Sequence, residues 1–75
     1  MPELMRFGRF KLLMFFQNDN PPHVHIKGVD FAAKIRISDG EILAGKVPNR
    51  ALRQARRWIE QHRRTLLEQW DEFQR

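Results

Sequence analysis

The chain has 75 residues, a formal net charge of +5 and no cysteine. This length suffices for one small domain, and the lack of thiols excludes disulfide bonds, thiolate metal ligands and cysteine nucleophiles. No apolar run has the length of a signal peptide or of a membrane span, which predicts a soluble cytoplasmic protein with no membrane association. The positive charge favours a polyanionic or acidic partner.

Alternating apolar residues in the first two-thirds of the chain predict β-strands. Residues 4–7 are either an edge strand or a lead-in, and residues 9–17 form a strand whose two faces are both largely apolar. Leu13 and Phe15 share one of these faces, so that face is covered either by this chain or by another molecule. Further strands are predicted at three places: 23–27, 31–37 and 41–44.

The turn between the last two predicted strands contains Asp39-Gly40. This pair is typical of the two-residue hairpin turns in which the backbone takes positive φ angles. We therefore expect the strands on either side of it to pair as an antiparallel hairpin, with Gly45 ending the second strand.

The last third of the chain has the periodicity of an amphipathic helix. Asn49 is the predicted N-cap, and the helix is expected over about 49–73, either continuous or broken near His62. Side chains on its core-facing side recur at steps of three and four: Leu52, Ala55, Ile59, His62, Leu66, Trp70 and Phe73. His62 is expected to be a core histidine bonded to a nearby carbonyl.

Together these elements predict one α+β domain over residues 1–75. Its β-rich part, about 4–47, is expected to form an antiparallel meander of three to five strands. One long C-terminal helix packs on one face of that sheet.

A stripe of arginines lies on the side of the predicted helix that faces away from the core. At 100° per residue its members fall within roughly 60° of one another: Arg50, Arg53, Arg57 and Arg64. Because a guanidinium group can bond two phosphate oxygens at once, these four are the predicted nucleic-acid-binding residues. A solvated helix face and a docking face for an acidic protein remain open as alternatives. No aromatic residue lies among the arginines to stack bases.

The segment Asn18-Asp19-Asn20-Pro21-Pro22-His23-Val24-His25 is the strongest candidate for a functional site. Its prolines restrict the backbone, and on a strand His23 and His25 share one face. In one interpretation they bind Zn²⁺ with further ligands drawn from a small set: Asp19, Asp39, Glu41 and His62. In another they are a general acid and base with Asp19 orienting one ring. In a third the segment is a structural or interfacial turn.

The acid–base interpretation would support cleavage of RNA by attack of a 2′-hydroxyl on the adjacent phosphate. It makes Asp19, His23 and His25 the predicted catalytic residues of a metal-independent ribonuclease with no cofactor. Acyl transfer has almost no candidate nucleophile, since the chain lacks cysteine and Ser38 is its one serine.

The order of these motifs resembles a known family over nearly the whole chain. The segment around Pro22 is followed by Gly40-Glu41-x-Leu43-x-Gly45-Lys46-x-Pro48, and the helix contains Arg50-x-Leu52, Trp58, His62 and Trp70. This pattern is similar to the bacterial domain-of-unknown-function family numbered 4160. Two departures are present: Phe16-Gln17 stands where the family often has a Phe/Tyr pair, and Val24 stands where it usually has an aromatic residue.

The resemblance implies a small bacterial protein whose gene often neighbours one for a second short domain, of the unknown-function family numbered 2442. That arrangement resembles a type II toxin–antitoxin module with this chain as the toxin. The leading hypothesis is a growth inhibitor that acts on RNA or the translation machinery, with a small antitoxin as partner and homo-oligomerisation as a further option. The alternative is a non-catalytic protein- or nucleic-acid-binding module in such a pair, and a third hypothesis is a stabilising partner that is neutral when expressed alone.

Overall fold

Five antiparallel strands follow one another across a single sheet in the order β1-β2-β3-β4-β5, in a computed structural model that describes residues 3–14 and 21–73 apart from the side chain of Phe73. The strands are β1 (Glu3–Arg6), β2 (Phe10–Leu13), β3 (His23–Gly28), β4 (Ala32–Arg36) and β5 (Ile42–Lys46). Two helices follow, α1 (Asn49–Gln61) and α2 (Arg63–Phe73). The predicted α+β meander is confirmed. The one long C-terminal helix is wrong, because the helical segment is divided at His62, which is the second of the two options for it.

The core lies between one face of the sheet and the two helices. Strand side chains alternate between faces, and those on the helix side of the three middle strands form the core, with Leu12, Ile26 and Ile35 fully buried. They pack with α1 residues such as Ala55 and Ile59 in one apolar cluster. Helix α1 therefore covers one face of the sheet. The residues that alternate with the core lie on the other face, where Trp70 of α2 contacts the ring of His23 at the start of β3.

The N-terminal predictions are partly tested by the structure. Residues 3–6 form an edge strand, which decides between the two options for that stretch. Leu13 is buried although it lies outside the main core cluster. Residues 15–17, including Phe15, fall outside the described part of the chain, so the predicted end of that strand stays a prediction.

The turn between β4 and β5 is longer than the predicted two-residue hairpin turn. Gly40 has a φ of 77°, whereas Asp39 does not have a positive φ. The Asp39 carboxylate instead accepts hydrogen bonds from the Arg36 Nε (2.8 Å) and from the backbone N–H of Glu41 (3.0 Å). These bonds, the one from Arg36 first, lower the pKa of Asp39 to about 2. Side-chain bonding of this kind stabilises a turn that needs only one residue of positive φ.

Two arginines tie the helices to this same turn. The Arg56 Nε donates to the carbonyl oxygen of Gly40 at 2.7 Å, and the Arg63 Nε donates to that of Ile37 at 3.0 Å. Both residues lie between the arginine stripe and the apolar side of the helical segment. They are therefore committed to holding the two layers together.

The ends of α1 differ from the prediction. Pro48 occupies the N-cap position without a side-chain hydrogen bond, so Asn49 is the first helical residue and its predicted capping role is wrong. At the other end the backbone φ of His62 is −118°, which ends the helix. Neither described helix combines the length and the apolarity needed to cross a membrane.

His62 lies at the break and is exposed, so its predicted place in the core is wrong. Its Nδ1–H donates to the carbonyl oxygen of Trp58 at 2.9 Å, which confirms the predicted bond to a carbonyl. Its ring stacks on that of Trp58 with centroids 4.4 Å apart. The break turns His62 outward, and Leu66 and Trp70 of α2 are buried beyond it.

Candidate functional site

His23 and His25 lie close together at the start of β3. Their ring centroids are 5.1 Å apart and the rings are inclined at 58°. This confirms that the two imidazoles share a face, as strand alternation predicts. The pair lies on the face of the sheet opposite to that of Val24 and Ile26, which are buried in the core.

His23 is the more enclosed member of the pair, at 3% exposure. One side of its ring faces Trp70 of α2, with centroids 5.0 Å apart. Its Nδ1 lies 3.0 Å from the carbonyl oxygen of Pro21. Because a carbonyl can only accept a hydrogen bond, Nδ1 carries the proton. Pro21 and Trp70 thus fix the position of the His23 ring, and through it the space left for His25.

His25 is half-buried in the middle of the sheet. It lies opposite Leu13 of β2 and opposite Lys34 of β4. Burial is the first cause that lowers the pKa of His25 below its usual value, followed by the nearby His23 and Lys34. A lowered pKa keeps the imidazole neutral at pH 7, which is the form that a general base requires.

A shallow depression of about 470 Å³ lies over His25. It is on the face of the sheet that is turned away from α1, which we call the open face. Three cationic and three apolar side chains surround the histidine there: Lys11, Lys27, Lys34, Leu13, Ala32 and Ala44. Sequence reasoning missed the lysines as site residues. The sequence shows that lysines alternate with apolar residues in these strands. Which lysines lie next to one another, however, depends on the register between strands.

The other predicted site residues are not gathered around the histidines. Asp19 lies outside the described part of the chain. The arginines of the stripe are exposed on α1 and α2: Arg50, Arg53, Arg57 and Arg64. The opposite side of α1 is buried through Ala51, Leu52, Ala55 and Ile59. The stripe on α1 therefore points away from the sheet, whereas His25 lies on the far face of the sheet.

The zinc interpretation gains no support from the described residues. Within 3–14 and 21–73, no three His, Asp or Glu side chains lie where they could hold a metal ion together. Of the further ligands considered, Asp39 bonds Arg36 and His62 stacks on Trp58. Asp19 falls outside this part of the chain.

A larger cleft, of about 670 Å³, lies apart from the histidines. Its lining comes from the β1–β2 turn, the β3–β4 turn and the first turn of α1, and includes Phe10, Phe31, Arg9 and Arg50. Arg50, a member of the predicted arginine stripe, thus borders this cleft.

The lowered pKa of His25 predicts a pH dependence of stability. The unfolded chain takes up a proton near the ordinary histidine pKa of about 6.5, while the folded chain resists it until lower pH. The free energy of unfolding should therefore stay constant above pH 6.5 and decrease as the pH falls below 6.5. Urea unfolding at a series of pH values measures this.

A matched pair of variants assigns that effect to one residue. His25→Gln should flatten the fall in stability below pH 6.5, while His62→Gln, which removes an exposed imidazole, should retain it. An equally steep fall in the His25→Gln variant would show that another group causes it.

Comparison with curated proteins and with solved structures found no match. A family model does match, and it covers residues 10–71, which include all five elements from β2 to α1 and most of α2. The match spans the histidine pair, the turn after β4 and the arginine-bearing helix. The chain therefore belongs to the family described as Domain of unknown function (DUF4160).

Proposed function

We propose that this protein is the toxin component of a bacterial type II toxin–antitoxin module, a cytoplasmic growth inhibitor that acts on RNA or the translation machinery. The observation that carries the proposal is the position of His25 on the open face of the sheet, with its ring centroid 5.1 Å from that of His23 and Lys34 opposite it on β4; burial there lowers the pKa of His25. Cleavage of RNA by attack of the 2′-hydroxyl on the adjacent phosphodiester requires a general base, and nearby cations stabilise the charge that develops on the phosphate. A small antitoxin of the family numbered 2442 is the proposed protein partner.

The proposed reaction assigns a different task to each member of the pair. His25 takes the proton of the 2′-hydroxyl as the 2′-oxygen bonds to phosphorus. The bond from phosphorus to the 5′-oxygen breaks, and His25 returns its proton to that leaving oxygen. His23, enclosed by Pro21 and Trp70, positions the ring of His25. Asp19 keeps its proposed role of orienting an imidazole.

The products of this reaction are specific. One fragment ends in a 2′,3′-cyclic phosphate and the other begins with a 5′-hydroxyl, and no metal ion takes part in the proposed steps. Purified protein should therefore cleave single-stranded RNA in the presence of a chelator. Cleavage that leaves a 5′-phosphate would contradict the proposed roles.

The deciding experiment is growth of a bacterial host after induction of the chain. His25→Gln should abolish growth inhibition and lower RNA cleavage about 10²–10⁴-fold, the usual contribution of a general base. His62→Gln is the matched control, since it removes an exposed histidine far from the pair in the chain, and it should inhibit growth like the parent. A His25→Gln variant that is as toxic as the parent and melts at the same temperature would refute the catalytic role.

A second candidate is a non-catalytic binding module in the same kind of pair. It is favoured by the exposure of the arginine stripe on α1, because among the described residues its members make no hydrogen bond to the sheet, unlike Arg56 and Arg63. This candidate predicts that Arg53→Glu with Arg57→Glu abolishes growth inhibition while His25→Gln does not. The two outcomes are opposite, so the same growth assay separates the candidates.

A further inference from the structure

The open face of the sheet carries a line of positive charge that crosses all five strands. Register pairs Arg6 with Lys11, Lys11 with Lys27, Lys27 with Ala32, and Ala32 with Lys46. Residues directly opposite each other in an antiparallel pair point to the same side of the sheet, with Cβ atoms about 5 Å apart. Four of the five positions in this line are therefore cationic, and we call them the cation row: Arg6, Lys11, Lys27 and Lys46.

The charge of the cation row is compensated in part at its β1 end, where Glu3 bonds Arg6 and interacts electrostatically with Lys11. Arg6 forms an ion pair with Glu3 at 3.0 Å. The three lysines form no ion pair with a described carboxylate. Lys11 and Lys27 are directly opposite each other, an arrangement that destabilises a sheet unless an anion lies between them. The fold thus holds like charges close together, with Lys27 and Lys46 exposed and Lys11 half-buried.

The chemistry of this surface fits a polyanion better than a folded protein. Lysine is depleted from the centres of protein–protein interfaces because its ammonium group is costly to desolvate. A row of ammonium groups on flexible stems suits a chain of phosphates, since each group can adjust its donors to the nearest oxygen. The residues beside the row are small or apolar, including Ala32 and Ala44. They leave a shallow surface that a strand can lie across.

The cation row lies next to the candidate catalytic group. His25 and Lys34 are two residues along their strands from Lys27 and Ala32, which is a distance of about 7 Å. A chain of phosphates bound along the row would therefore bring a neighbouring nucleotide within reach of the His25 ring.

We propose that single-stranded RNA binds across the open face of the sheet, at right angles to the strands, with its phosphates along the cation row. This inference rests on the proposed function and names the substrate of the same site. The row contacts phosphates and not base edges, so binding tolerates many sequences and depends strongly on salt. The arginine stripe, on the other side of the molecule, does not form this surface.

The test compares two triple variants that remove equal charge. The row variant is Lys11→Gln, Lys27→Gln and Lys46→Gln, and the stripe variant is Arg50→Gln, Arg53→Gln and Arg57→Gln. Each lowers the net charge of +5 by three. Both are made in a His25→Gln background to prevent cleavage, and binding of a fluorescein-labelled oligouridylate is followed by anisotropy at several salt concentrations.

The row variant should bind at least about tenfold more weakly. The slope of log K against log salt concentration should become shallower by about 2, because each of the three lost phosphate contacts contributes roughly 0.7. The stripe variant should lose much less, about threefold or under. The row variant should melt no lower than its parent because it removes opposed like charges. If it does not fold, Lys27→Glu alone replaces it, since a glutamate there faces Lys11.

Three outcomes would overturn the inference: equal loss in both triple variants, a larger loss in the stripe variant, or tighter binding of duplex RNA than of the single strand. Failure of the proposed function gives a different result. In that case the parent chain, with His25 intact, binds RNA through the cation row but neither cleaves RNA nor inhibits growth. The two failures are therefore distinguishable.

Discussion

Replacing Trp70 by alanine is expected to remove most of the stability of the protein. Trp70 is 5% exposed and belongs to the core cluster, where it also covers the ring of His23. Truncating a buried tryptophan costs about 3–5 kcal/mol. A domain of this size has a total stability near the lower end of the usual range of about 5–15 kcal/mol. The substitution therefore removes most of the available stability.

Circular dichroism during thermal and urea unfolding measures this effect. Trp70→Phe retains an aromatic ring against His23 and should lose clearly less stability. Leu67→Ala, three residues earlier on the exposed side of α2, should stay within about 0.5 kcal/mol of the parent. If Trp70→Ala and Leu67→Ala melt at similar temperatures, α2 does not pack on the sheet as described.

Gly45→Ala is expected to disrupt the pairing of β5 with β4. Gly45 has a φ of 84°, and a Cβ atom built there would lie 2.3 Å from the carbonyl oxygen of Ala32 and 2.8 Å from the Cα of Ala33. The left-handed backbone alone costs an L-residue about 1–2 kcal/mol. The clash adds to this because backbone atoms cannot move aside as a flexible side chain can. We expect a loss of more than about 2 kcal/mol, together with displacement of Lys46.

The chain offers a matched control at Gly8. A Cβ atom there would meet nothing within 4 Å, and Gly8 has no positive φ. Gly8→Ala should therefore leave the free energy of unfolding nearly unchanged in the same urea titration. Gly45→Ala with the stability of Gly8→Ala would mean that Gly45 has neither the positive φ nor the close approach to the backbone of β4 described above.

The strands and their order could be predicted because the pattern of apolar residues and turns is local. Alternation in 31–37 and the turn at Gly40 were enough to place β4 and β5. The sequence allowed a break near His62 but could not decide between a broken and a continuous helix, since no glycine or proline marks the position. It depends on contacts made after folding, including the stack on Trp58 and the bond from Arg63 to the β4–β5 turn.

The candidate site was only half visible in the sequence. Spacing alone puts His23 and His25 on one face, but the burial of His23 depends on Trp70, which comes from a helix far along the chain. The lysines around His25 belong to three strands, and their meeting depends on register. Register is a tertiary property that a single sequence does not fix. The arginine stripe could be predicted because helical periodicity places residues on one helix face from sequence alone. The stripe nevertheless lies away from the histidines.

The central claim is that the open sheet face around His25 is the functional surface, and mapping RNA contacts by NMR tests it most directly. In the His25→Gln background, amide shifts on addition of an oligouridylate should concentrate in β2, β3 and β4, at Lys11, Lys27 and Lys34. Shifts confined to α1, or no shifts at concentrations that saturate binding by anisotropy, would contradict it.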